Sequence, residues 1–111
     1  ELIGTFMLVF GVLFIVGPNI EISGSEIQNF GLGSLDALPV GILVWVIGMA
    51  LGGATGYAIN PARDLGPRLM YQLLPRKNKK ADWSYSWIPV LGPITGSVLA
   101  GMAFLALEAI A

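Results

Sequence analysis

Three uncharged, apolar blocks alternate with polar segments along the 111-residue chain: residues 2–20, 37–62 and 83–107 contain no Asp, Glu, Lys or Arg. A helix needs about 20 apolar residues to cross the ~30 Å hydrocarbon core of a bilayer, and each block reaches or approaches that length. The pattern predicts a first membrane helix over about residues 1–16, ended by the turn chemistry of Gly17-Pro18-Asn19, and a polar loop over 17–37. A second helix is expected over about 38–51. Residues 52–56 then hold three glycines in five positions. Each glycine weakens a helix by about 1 kcal/mol relative to alanine, so a break is expected near Gly52. After a loop over 74–87, the last helix is expected over about 88–110.

The second block closes on Asn60-Pro61, which reads as a helix N-cap followed by proline at the first helical position. The next strong stop is Pro75. A helix between them has roughly 12 residues and spans about 18 Å, too short to cross alone. Residues 52–73 are therefore expected to form a re-entrant unit, with extended backbone over 53–59 leading back to mid-membrane and the short helix returning. Non-helical backbone at that depth is tolerated only where it is buried in protein or lines a water-filled cavity. The backbone alone thus points to a pore.

Composition agrees. Apolar residues make up 55% of the chain and charged residues 12%, against about 25% charged in an ordinary soluble protein. The net charge is −1, and the one basic cluster, residues 76–80, is a short loop, so no nucleic-acid surface is expected. The chain has no cysteine and no histidine, which removes disulfides, thiolate metal sites and the commonest general base. No catalytic residue, metal or cofactor is expected, and the protein is not expected to be an enzyme. The chain opens inside an apolar stretch without methionine and is expected to be a piece of a longer protein; with no basic n-region or cleavage site, its first block is not a signal peptide.

The chemistry gathers around Asn60. A helix N-terminus concentrates about half a positive charge and several unpaired amide donors, which repels cations and donates hydrogen bonds. The Asn60 side chain adds an amide donor, and the carbonyls of Gly56, Tyr57 and Ala58 are expected to supply acceptors. That combination suits a neutral molecule bearing hydroxyl groups. An intramembrane arginine costs about 2.5–3.5 kcal/mol, so Arg63 is expected to face a water-filled path as the donor of a constriction. Asp64 complements the helix dipole and stands four residues ahead of Arg68 in the favourable order for an ion pair, read as scaffold. Glu1, a carboxylate in an apolar helix, is expected to accept from backbone amides or an arginine and to support the re-entrant loop. The small residues Gly92, Gly96 and Ala100, like Gly48, Gly52 and Gly56, recur at four-residue spacing and read as helix-packing stripes.

Asn60-Pro61-Ala62-Arg63, set within residues 56–67, resembles the second asparagine-proline-alanine box of the major intrinsic proteins, the aquaporins and glycerol facilitators. Residues 1–6 resemble the opening of that family's repeat, and residues 92–96 its last helix. The resemblance covers essentially the whole chain. It implies an all-α membrane protein, an aquaporin-like right-handed helical bundle, of which this chain is the second inverted repeat: three membrane helices plus one re-entrant half-helix. It also implies the first-repeat half as partner, association of complete channels into homotetramers, and residence in a lipid bilayer, by resemblance a bacterial plasma membrane.

Within the family the chain resembles the glycerol-conducting branch. Water-selective members carry a histidine twelve residues before the box asparagine, where this chain has Gly48. A wider constriction is implied. Asp64 directly after the box arginine, and Pro89-Val90 at the start of the last helix, match the same branch. Tyr57 matches an aromatic of the selectivity region, with the backbone of its segment expected to line the path along with Asn60, Pro61, Ala62 and Arg63. The implied function is a passive channel for glycerol and other small neutral polyols and solutes, with water a lesser permeant and ions and protons excluded. The alternatives are a water-selective aquaporin, which Gly48 and Asp64 argue against, a structural membrane fragment, and a broken-helix secondary transporter. The last needs a coupling-ion site, for which the spans offer only Arg63 and Glu1. Counting positive residues over short loops puts residues 76–80 in the cytoplasm, whereas the family topology places that loop outside; the family topology is adopted because earlier helices largely set orientation.

Overall fold

The computed structural model describes residues 1–15, 19–20, 28–29, 35, 37–75, 77 and 80–110. Its elements are α1 (Leu2–Phe14), β1 (Asn19–Ile20), β2 (Gln28–Asn29), α2 (Leu38–Thr55), α3 (Pro61–Leu73) and α4 (Ile88–Glu108). The strands form a two-residue antiparallel pair, Asn19 opposite Asn29 and Ile20 opposite Gln28, inside the segment expected to be loop. The helices carry the architecture, and the class is all-α. Helices α2 and α4 are long and apolar enough to cross a membrane, while α1 is a shorter apolar helix. Ile15 is already extended; the expected helix end at residue 16, most of the loop over 17–37, and residues 76, 78 and 79 of the basic cluster lie outside the described residues.

Close packing of α1 on α4 forms the centre. A side chain at Gly96 would run into the Leu2 carbonyl and stand 3.1 Å from the Phe6 nitrogen, and one at Gly92 would stand 2.8 Å from Glu1 Cβ. Ala100 is fully buried on the same stripe. Small residues are needed because backbone meets backbone here. Phe6, Phe10 and Phe14 run down α1 in ring contact and end against Phe104 of α4 at 5.2 Å. Helix α2 packs on the other side of α1, with Gly11 making room for Leu43 and Gly4 for Ile47 and Ile59.

One expected boundary is corrected. Helix α2 does not break at Gly52 but runs on to Thr55, where Gly56 closes it in the left-handed conformation at φ 76°. The non-helical segment is correspondingly short, Gly56 to Ile59, and it is not the extended backbone expected over 53–59, since Gly56, Tyr57 and Ile59 all have positive φ. Glycine's weak helix propensity is overridden because a helix satisfies its own backbone groups where little water reaches them, and because Gly52 seats a neighbouring ring.

Candidate functional site

The site begins at the turn between α2 and α3. Asn60 is extended at φ −159°, and its Oδ1 accepts from the Ala62 N–H at 2.9 Å, capping α3 with Pro61 as the first helical residue. With the carbonyl oxygen in the cap, the donor left on that side chain is the Nδ2 amide. Pro67, inside α3, has no N–H to give to the carbonyl four residues back, which is that of Arg63.

The segment feeding this cap is held in an unusual conformation. Tyr57 and Ile59 have φ of 42° and 43°, in the left-handed region that a β-branched residue rarely enters. Glu1 holds them there. Its Oε1 accepts from Thr55 Oγ1 at 2.5 Å and from the Ala58 N–H at 3.0 Å, and its Oε2 accepts from the Ile59 N–H at 2.5 Å. Thr5 Oγ1 donates to the Ile59 carbonyl at 3.3 Å. Every described peptide bond is trans, so a carbonyl points opposite to the N–H of its own peptide. The Tyr57 and Ala58 carbonyls, partners of the Ala58 and Ile59 amides, therefore point away from Glu1, side by side. For the Gly56 carbonyl no such constraint arises.

The Tyr57 ring lies on α2. A Cβ at Gly48 would be 3.0 Å from its Cε2 and Cζ, and one at Gly52 would be 2.8 Å from its Cδ1. The Arg63 guanidinium sits 5.3 Å from the centroid of the same ring, within cation–π range. Gly48 and Arg63 thus both meet the Tyr57 ring. The stripe Gly48, Gly52, Gly56 divides in two: the first two glycines bed the ring, and the third closes the helix.

Asp64 and Arg68 form an ion pair one turn apart at 2.7 Å. Arg68 goes further than pairing: it also donates to the carbonyls of Ala81 and Asp82 and lies 5.7 Å from the Tyr85 ring. An open recess of about 430 Å³ beside it is lined by Arg63, Asp64, Arg68, Tyr71 and Lys80 among others. Pro89 is fully buried and Val90 half-buried at the start of α4, and neither belongs to the hydrogen-bonded groups around Glu1 or Arg68. Sequence reasoning passed over Gly4, Thr5 and Thr55. The first two share a helix face with Glu1 at three- and four-residue spacing, the one signal that marks them.

An all-α membrane fold with a short, side-chain-capped helix after a long apolar one is the class these features define. The sequence profile described as Major intrinsic protein matches residues 1–104. The chain belongs to that family, whose bacterial members are membrane channels. It is 50% identical over 105 residues to a probable glycerol uptake facilitator protein of Thermotoga maritima, covering 94% of this chain and 40% of that protein. Against glycerol uptake facilitator protein 3 of Lactiplantibacillus plantarum the identity is 50%, covering 94% and 39%, and against the glycerol uptake facilitator protein of Bacillus subtilis 48%, covering 94% and 34%. The chain therefore spans about two fifths or less of these relatives' length. No solved structure gives a significant match.

Proposed function

We propose that this chain forms one half of a passive channel that conducts glycerol and other small uncharged solutes, passes water less readily, and excludes ions and protons. The observation that carries the reading is the contact of both Gly48 and Arg63 with the Tyr57 ring, next to the Tyr57 and Ala58 carbonyls that turn away from Glu1. A polyol has a carbon edge and a hydroxyl edge; the ring offers an apolar wall to the first, while Arg63, the Asn60 amide and the carbonyls exchange hydrogen bonds with the second. The glycine at position 48 leaves the ring its place and the path its width. Cations are repelled by Arg63 and by the positive end of α3. No step requires bond chemistry, so the chain acts as a channel component and not as an enzyme. The names of the relatives, glycerol uptake facilitators, agree with this solute class.

The other half of the path comes from the first repeat of the same channel, which opposes a second short helix to α3. Complete channels assemble as homotetramers in a bacterial plasma membrane. The test is light scattering of proteoliposomes carrying the complete protein under an inward glycerol gradient, with Gly48→His beside the parent. Fast reswelling in the parent, slowed for glycerol more than for water in the variant, supports the reading. Fast water shrinkage without glycerol entry in the parent moves the protein to a water-selective channel and overturns it.

A further inference from the structure

The helix that carries Arg63 is tied from two directions. None of the 13 residues of α3 is buried, so among the described residues apolar packing does not fix its height. Glu1 holds the segment before it. Farther along, Arg68 Nε and Nη2 donate to the two oxygens of Asp64, each at 2.7 Å, while Nη1 donates to the Ala81 carbonyl and, at 2.7 Å, to that of Asp82. Four of the five guanidinium donors are engaged. The receiving turn is itself fixed: Asp82 is left-handed at φ 45°, its carboxylate accepts from Ser84 Oγ at 2.7 Å, and its carbonyl also accepts from the Tyr85 N–H at 3.1 Å. Ala81 is buried, and the turn runs directly into α4.

We infer that Arg68 is a positioning residue for Arg63: its fork to Asp64 and its two carbonyl bonds tie α3 to the turn that opens α4 and so set where the Arg63 guanidinium stands over the Tyr57 ring. Arg63 and Arg68 are five residues apart, about 7.5 Å along the axis and about 140° around it, so Arg68 acts through the helix and not on the same solute face. Asp64 is the link, adjacent to Arg63 in sequence and one turn from Arg68. A lysine keeps the charge but is a point donor on a flexible stem, unable to hold a carboxylate fork and two carbonyls together.

The inference rests on the channel reading, and the test separates the two. Water, glycerol and a four-carbon polyol are measured in proteoliposomes of the complete protein, for the parent, Arg68→Lys and Arg68→Ala, with fluxes normalised to channel content. Arg68→Lys is expected to lower the ratio of glycerol to four-carbon polyol permeability about threefold, the lower range for coupled neighbours, with Arg68→Ala at least as large. A merely structural role changes how much channel reaches the membrane and leaves that ratio at the parent's value; this result, or failure of both variants to insert, overturns the inference while the parent still conducts glycerol. A parent that passes no glycerol overturns the channel reading and the inference with it.

Discussion

Glu1 gathers three donors from 54 to 58 residues away, the Thr55 hydroxyl and the Ala58 and Ile59 amides, and thereby holds two left-handed residues in place. An amide in its position has one acceptor oxygen and would turn its own NH₂ toward one of those donors. Glu1→Gln in the complete protein is expected to lower stability by about 1.5–3 kcal/mol, the range for hydrogen bonds to a charged group, read as a lowered unfolding midpoint in detergent. An unchanged midpoint would show that the segment keeps its conformation without the carboxylate. That Glu1 must find donors was legible in the sequence, because a carboxylate in an apolar helix demands them. The seat of the Tyr57 ring on Gly48 and Gly52 was not. It depends on a left-handed turn at Gly56 and Tyr57 that folds the ring back along α2, and no periodic pattern encodes such a turn.

At the level of helices, two glycines of α4 with the same composition signal have opposite surroundings. A methyl at Gly96 would meet the backbone of Leu2 and Phe6, whereas one at Gly101 has nothing within 4 Å among the described residues. Backbone cannot step aside as a side chain does. Gly96→Ala is therefore expected to destabilise by about 1–3 kcal/mol through overpacking, and Gly101→Ala to be neutral or stabilising by up to about 1 kcal/mol through helix propensity. Thermal unfolding of the two variants side by side checks this, and equal midpoints would contradict the α1–α4 packing. Helix starts follow the sequence where local chemistry sets them: Asn60-Pro61 caps α3 by a bond two residues long, and residue 88 opens α4 one position before a proline. The end of α2 was misjudged by about a turn because propensity is a weak term once tertiary contact occupies the glycines.

The whole chain presents an imbalance that its surroundings must resolve. Helix α2 buries only Ile47, and α3 buries no residue. Lipid can cover α2, which is apolar and uncharged throughout. It cannot cover α3, which carries Asn60 at its cap and Arg63, Asp64 and Arg68 along its length; an arginine alone costs about 2.5–3.5 kcal/mol at mid-membrane. Protein or water must therefore stand on the far side of α3, and the described residues contribute no protein there. On the proposed channel reading, the depth of α3 in the membrane depends on what covers that side. The chain's lack of cysteine makes a direct probe available: Ala62→Cys, next to the cap and exposed, placed in a cysteine-free complete protein and in this chain alone. In the complete protein a small water-soluble thiol reagent is expected to reach position 62 through the aqueous path, and excess glycerol to slow the labelling. In the chain alone, the same cysteine is expected to label without any protection by glycerol, because α3 then rests at the water interface with no path to block. Equal glycerol protection in both would mean that one half builds the conducting path by itself, and would remove the need for a partner half.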